Sequence, residues 1–234
     1  MTLIYCYIAE KKEKEMKSEL TIKKLIEEAH KFCVNESKFK NKELYGVTDG
    51  KAVGTYIEQK FKDHILREFV TLIGNSASGI DLPSEEIQTD IKVTSVTQPQ
   101  SSCPFKNAKQ KIYGLGYNLL VFVYEKKDNP RNKSSVLNFV SCAFISKERT
   151  ADYTMTLRLR EMVSDRANED DIVSYLNDKN IPADDITLSE LAQLILTHLP
   201  EQGYLTISNA LQWRLQYQRI VSLSIEVEGI IKII

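Results

Sequence analysis

Gly79-Ile80-Asp81-Leu82-Pro83-Ser84-Glu85-Glu86-Ile87-Gln88-Thr89-Asp90-Ile91-Lys92-Val93-Thr94-Ser95 is the stretch around which the rest of the chain is read. From Thr89 it alternates Thr89, Ile91 and Val93 against Asp90, Lys92 and Thr94, a period of two that predicts a strand with one apolar face. Asp90 and Lys92 then project together, their α-carbons roughly 7 Å apart, while Ile91 and Val93 point into the interior. Pro83 closes a preceding extended segment over residues 78–82. A four-residue loop at 83–86 pairs Leu82 with Ile87 and Gly79 with Asp90, and sets Asp81 on the same face, diagonal to Asp90. A loop one residue longer or shorter turns Asp81 to the opposite face.

Two carboxylates and a lysine meeting on one sheet face suit phosphodiester hydrolysis. Paired carboxylates hold Mg²⁺, which prefers oxygen ligands and keeps its remaining positions for water and phosphate. The ion polarises a phosphoryl oxygen and lowers the pKa of a bound water. Lys92 beside the phosphate either orients or deprotonates that water, or neutralises developing charge.

Upstream, Ile57, Phe61, Ile65 and Phe69 recur every fourth residue and lay an apolar stripe along a helix beginning near Gly54. The first fifty residues read as a polar helical layer, with Leu25, Ala29 and Phe32 at helical spacing, followed by a loop through Gly46 to Gly50. Downstream, a helix is predicted over residues 105–113, ending at Gly114 and Gly116. The nearly continuous apolar runs at 118–124 and 137–145 suit interior strands. Beyond Arg149 the pattern turns helical, near residues 154–163, 170–178, 188–199 and 207–221, with a closing strand over 225–234. The expected class is α/β (α+β): a mixed central sheet flanked by helices, with a mostly helical C-terminal lobe. Three regions follow: 1–53 as the helical layer, 54–147 as the core, and 148–234 as the lobe.

Composition narrows the class further. The chain has 234 residues, 42% hydrophobic and 27% charged, with few Gly and Pro, which is the profile of a globular domain. No apolar run is long enough to span a bilayer, and Met1 to Ala9 lacks a basic segment ahead of it, so neither insertion nor secretion is expected. Cys6, Cys33, Cys103 and Cys142 are far apart and read as reduced cytoplasmic thiols. His30, His64 and His198 show no ligand spacing, and phosphate-loop, dinucleotide and Ser or Cys nucleophile motifs are absent. The net charge is -1, but residues 99–133 carry seven Lys/Arg against two acids and residues 163–190 eight acids against two bases. That asymmetry can present a polyanion to one surface, or mark solvated faces.

Asp81 followed by Asp90-Ile91-Lys92 resembles the bipartite signature of the PD-(D/E)xK nucleases, with Ile80 in the place of the proline and a short spacer. The order helix, paired strands, helix, strand over residues 54–124 resembles the core of that superfamily. The resemblance implies a metal-dependent nuclease in which Asp81 and Asp90 hold Mg²⁺ and Lys92 is the catalytic lysine. Members often place a Glu on the first helix near the metal, and Glu58 is offered there. Thr55-x-x-Glu58 is also a capping box, in which Glu58 would instead accept from the Thr55 backbone N–H.

The stretch from Gly79 through Tyr124 is most similar to type II restriction endonucleases of this superfamily. By that resemblance, Gln98, Gln100 and Ser101, with Lys106, Lys109 and Lys111 on the following segment, approach DNA. On the helix predicted over 207–221, Gln212, Gln216 and Arg219 share one face, and Gln and Arg match adenine and guanine edges. An amphipathic helix with an ordinary polar exterior, or a dimer contact, fits the same residues. The implied partners are double-stranded DNA, a second copy of the chain related by a twofold axis, and a cognate DNA methyltransferase. The competing readings are a structure-specific repair or mobile-element nuclease and a non-catalytic DNA-binding protein.

Overall fold

The computed structural model describes residues 17–74, 79–104, 106–208 and 213–234. Asp49 caps the helix that organises the first part of the chain, its carboxylate accepting from the Lys51 backbone N–H at 2.9 Å. This helix, Gly50–Glu68 (α2), is preceded by the short strand Ser18–Glu19 (β1) and the helix Ile22–Glu36 (α1). The apolar stripe of α2 is buried as its spacing predicts: Ile57, Phe61 and Ile65 are fully covered. Phe61 meets Phe32 of α1 at 5.1 Å between ring centroids, and Phe122 at 5.0 Å. The strand Phe69–Val70 (β2) then pairs in parallel with β1.

The central mixed sheet has the order β3-β5-β6-β9, formed by Thr89–Ser95 (β3), Asn118–Asn129 (β5), Ser134–Ile145 (β6) and Ile230–Lys232 (β9). The fold is therefore the α/β architecture, sheet flanked by helices, that the sequence predicts. Leu119 to Tyr124 are all buried, which is why that strand reads as an unbroken apolar run. β6 and β9 are antiparallel, with Ala143 opposite Lys232 and Ile145 opposite Ile230.

A second, three-stranded antiparallel sheet is made by Gln100–Cys103 (β4), Thr206–Ile207 (β7) and Trp213–Gln216 (β8), in the order β4-β8-β7. Its strand β8 stands where a helix is expected over 207–221; among the described residues of that span only Gln218–Val221 (α7) is helical. The physical reason lies in Trp213-Arg214-Leu215-Gln216, where Trp213 and Leu215 are buried and Arg214 is exposed: an alternation of two, not a helical stripe. The helix expected over 105–113 is confined to Lys109–Tyr113 (α3). It stops at Gly114, whose φ is +88°, and an added Cβ there would lie 2.3 Å from the Lys147 carbonyl oxygen.

The helices Tyr153–Ser164 (α4), Glu169–Asp178 (α5) and Asp185–Thr197 (α6) form where the sequence predicts them. They bury Leu159, Ile172, Leu176, Leu191 and Ile195 in one cluster. Asp152, Asn168 and Asp184 cap them, each accepting from a backbone N–H three residues on.

The contacts group the chain into two units, each assembled from separated segments. One contains the described residues up to Val93 with Phe122–Cys142 and Ile233–Ile234, and the other Thr94–Val121 with Ala143–Lys232. Cys33, Cys103 and Cys142 are free and buried, and Cys6 lies outside the described residues. Among the described residues no helix is long and apolar enough to cross a membrane.

Candidate active site

The site is built within the first unit by α2, the segment at Asp81 and β3. Leu82 bridges Thr89, with backbone hydrogen bonds in both directions at 2.9 and 3.0 Å. This register differs from the expected pairing of Leu82 with Ile87. The connection spans residues 83–88, because the Ile87 and Gln88 N–H groups turn back to the Ser84 carbonyl and Gln88 adopts a φ of +35°. Carried one residue further, the register sets Asp81 directly across from Asp90 in place of Gly79. The connection is longer by two residues, an even number, so Asp81 keeps its face.

The carboxyl groups of Asp81 and Asp90 are hydrogen-bonded to each other. Asp81 Oδ2 accepts from the Ile91 backbone N–H at 2.8 Å. Lys92, two residues along β3, pairs with Asp90 at 2.6 Å. The two acids and the lysine therefore do meet on one face. Burial pushes the Asp90 carboxyl up to about 7, against the pull of the Lys92 charge, with the contact to Asp81 raising it further. Burial also works to raise Asp81, but hydrogen bonds from Asp90, Lys62 and the Ile91 N–H outweigh it and hold Asp81 below its usual range. The two shifts diverge, Asp90 favouring its protonated form and Asp81 its ionised form relative to free carboxyls.

Glu58 stands on α2. Helix α2 begins at Gly50, so Thr55 and Glu58 lie inside it and the capping-box alternative does not occur. Gly54 lies against β3, its Cβ position 3.4 Å from the Val93 carbonyl oxygen, and residues 58 and 62 follow it on the same helical face. Lys62 is only 8% exposed; its ammonium pairs with Glu58 at 2.6 Å and with Asp81. Glu58, Lys62, Asp81, Asp90 and Lys92 consequently form one continuous chain of charged contacts. The sequence reading missed Lys62. Its signal was the spacing of four from Glu58 on the face that begins at Gly54.

Asp81 and Asp90 supply hard oxygen donors side by side, with Lys62 and Lys92 as the resident counter-charges. That donor chemistry fits a divalent cation such as Mg²⁺. Among the described residues no group of three or more His, Cys, Asp or Glu is arranged to hold a metal. Glu58 does not complete a triad with the two aspartates, because the Lys62 ammonium stands between it and Asp81.

The residues expected to approach DNA are distributed differently from the expectation. Gln98, Lys106 and Lys109 are exposed. Gln100 and Ser101 belong to β4 rather than to a loop, and the Ser101 hydroxyl bonds the Tyr217 hydroxyl at 2.5 Å. Lys111 is buried, and burial lowers its pKa, so α3 turns it inward instead of toward solvent. Gln216 lies on β8 opposite Gln100, and Arg214 on the same strand opposite Ser102. These four residues share one face of the small sheet, with Arg214 and Ser102 exposed. Arg214 is a second residue that the sequence reading missed, since a helical period hid its place in a strand. The Arg219 guanidinium lies 3.6 Å from the Tyr153 ring centroid, and Gln212 lies outside the described residues.

No solved structure matches the chain. The family described as Type II restriction enzyme NspV matches residues 19–232. A relative with that same description, from Nostoc sp. (strain ATCC 29411 / PCC 7524), is 50% identical over 214 residues, covering 92% of this chain and 96% of its own length. With the match reaching from β1 to β9, this chain belongs to the type II restriction enzyme family and is a site-specific DNA endonuclease.

Proposed function

We propose that the endonuclease is Mg²⁺-dependent and that its hydrolytic centre is Asp81, Asp90 and Lys92. The observation that carries this reading is the contact between the Asp81 and Asp90 carboxyls with Lys92 on the same face. Asp81 and Asp90 would hold the ion, and when bound it supplies Lewis acidity and a water acidified at neutral pH. Asp90 has to lose its proton for this, and near neutrality burial leaves it poised to do so. The Ile91 N–H fixes the orientation of Asp81. Lys92, released from Asp90, either places a positive charge beside the scissile phosphate and orients the attacking water or, as the neutral amine, takes a proton from it.

The substrate, double-stranded DNA, meets the protein through the exposed polar residues of the second unit. Gln100, Ser102, Arg214 and Gln216 form a sheet face whose amide and guanidinium groups match base edges. Lys106 and Lys109 add positive charge suited to phosphates. Cutting both strands of a symmetric site asks for two such centres, so the working form is a homodimer paired in the host with a cognate DNA methyltransferase. The reading is tested by incubating the protein with a sequenced plasmid with and without Mg²⁺ and sequencing the fragment ends. Discrete ends at one short sequence, formed only with the ion, support it. Cleavage undiminished in chelator removes it, and a ragged distribution of ends marks a nuclease of another specificity.

A further inference from the structure

Lysines on helix surfaces extend their ammonium to water. Lys62 instead turns inward at 8% exposure and meets two acids, Glu58 from its own helix and Asp81 from the neighbouring segment. Burying an ammonium is unfavourable unless it is paired, and here the pairing partners are the carboxylates of the hydrolytic centre. Both oxygens of Asp81 are then engaged: Oδ1 by Lys62, Oδ2 by the Ile91 N–H. A cation that takes Asp81 through Oδ1 meets an ammonium already there.

We propose that Lys62 is a resident counter-cation that competes with the divalent ion for Asp81 and so sets how tightly the protein holds that ion. The inference rests on the reading of Asp81 and Asp90 as the metal-holding pair. In the metal-free protein Lys62 bridges Glu58 and Asp81 and keeps them together. When the ion binds, Lys62 gives up Asp81 and retains Glu58, four residues away on the same helix. Lys62 is thus a positioning residue: it acts through the carboxylates and does not touch the DNA. The arrangement also gives Glu58 a role without direct metal contact, as the anchor that holds Lys62 near the site when Asp81 releases it.

The test uses the full-length protein without DNA, stripped with chelator and titrated calorimetrically with Ca²⁺ and with Mn²⁺. Lys62→Met removes the charge while keeping the stem, Lys62→Gln is a second neutral variant, and Lys62→Arg keeps the charge. Both neutral variants are expected to bind each ion about tenfold more tightly or better, because a like charge a few ångströms away is gone. They should also melt at lower temperature in chelator and recover with Ca²⁺, while Lys62→Arg stays close to the wild type. Trp213 fluorescence reports whether each variant is folded. Equal or weaker ion binding by the folded neutral variants overturns the role of Lys62. Asp90→Asn separates this from the underlying reading: if it abolishes ion binding while the Lys62 variants bind as the wild type does, only the Lys62 inference fails. If Asp90→Asn binds as the wild type does, the metal-holding pair itself is wrong.

Discussion

Asp81 and Asp90 face each other across the Leu82–Thr89 bridge with their carboxyl groups hydrogen-bonded. Two acids in contact titrate as a pair, and here the Asp90 carboxyl is shifted up to about 7 while that of Asp81 is shifted down. The charges of Lys62 and Lys92 flank the pair on either side. The centre is therefore balanced within the protein, and that balance has to change when a divalent ion or a DNA phosphate arrives.

Stability in chelator follows from this. The Asp90 carboxyl is raised above its unfolded value, so the stability it contributes is fully present below the ordinary carboxylate range and is lost as pH rises through about 7. Asp81, lowered, contributes stability at neutral pH that is lost only in acid. The metal-free wild type should melt at lower temperature at about pH 8 than at about pH 6, and Asp90→Asn should flatten that slope. Thermal unfolding in EDTA across this range measures it, and a slope unchanged in Asp90→Asn would assign the dependence to another group.

Lys92→Ala should lower single-turnover cleavage by about a hundredfold to a thousandfold, the usual scale for removing one group that stabilises transition-state charge. DNA retention in Ca²⁺ should be little affected, because on the proposed reading Lys92 meets one phosphate only and the base-matching groups are those of β4 and β8. A filter-binding assay beside the cleavage rate distinguishes the two. Parallel loss of binding and cleavage would make Lys92 a DNA contact rather than a catalytic group.

The strand at residues 213–216 predicts an alternating pattern of mutational cost. Trp213 and Leu215 are fully buried, and Arg214 between them is exposed. Trp213→Ala and Leu215→Ala should each destabilise the protein by about 2 to 5 kcal/mol, and Arg214→Ala by less than about 0.5 kcal/mol. Denaturant unfolding followed by circular dichroism measures all three. A large loss at Arg214 with little at Leu215 would contradict the strand.

The same Arg214→Ala variant, stable by this account, should lose base discrimination by roughly 1 to 3 kcal/mol when binding is compared on cognate and altered sites. Lys106→Ala and Lys109→Ala should weaken binding to all sequences alike and each reduce the salt slope by about one. Lys111→Ala should change stability and leave the salt slope alone, because its side chain is buried.

The residues show what the sequence made legible. Asp90 and Lys92 share a face because strand periodicity is local, and the stripe of Ile57, Phe61 and Ile65 exposes its helical period directly. The sequence predicts the face of Asp81 but not its pairing, since the turn at Ser84 and the positive φ of Gln88 lengthen the connection by two residues without reversing direction. Arg214 was hidden because Gln212, Gln216 and Arg219 also fit a helical face, and only pairing with Gln100–Cys103, more than a hundred residues earlier, decides for a strand. Lys62 could be read as an ordinary partner for Glu58 four residues away. Its second partner, Asp81, comes from a segment that no local pattern connects to α2.

The most direct measurement is single-turnover plasmid cleavage by Asp90→Asn in Mg²⁺, run beside the wild type at matched DNA occupancy. The amide keeps the shape of the side chain but cannot act as an anionic ligand, so folded, DNA-bound protein should accumulate with cleavage reduced by at least about a thousandfold. Cleavage at the wild-type rate and at the same position would show that the Asp81–Asp90 pair is not the hydrolytic centre.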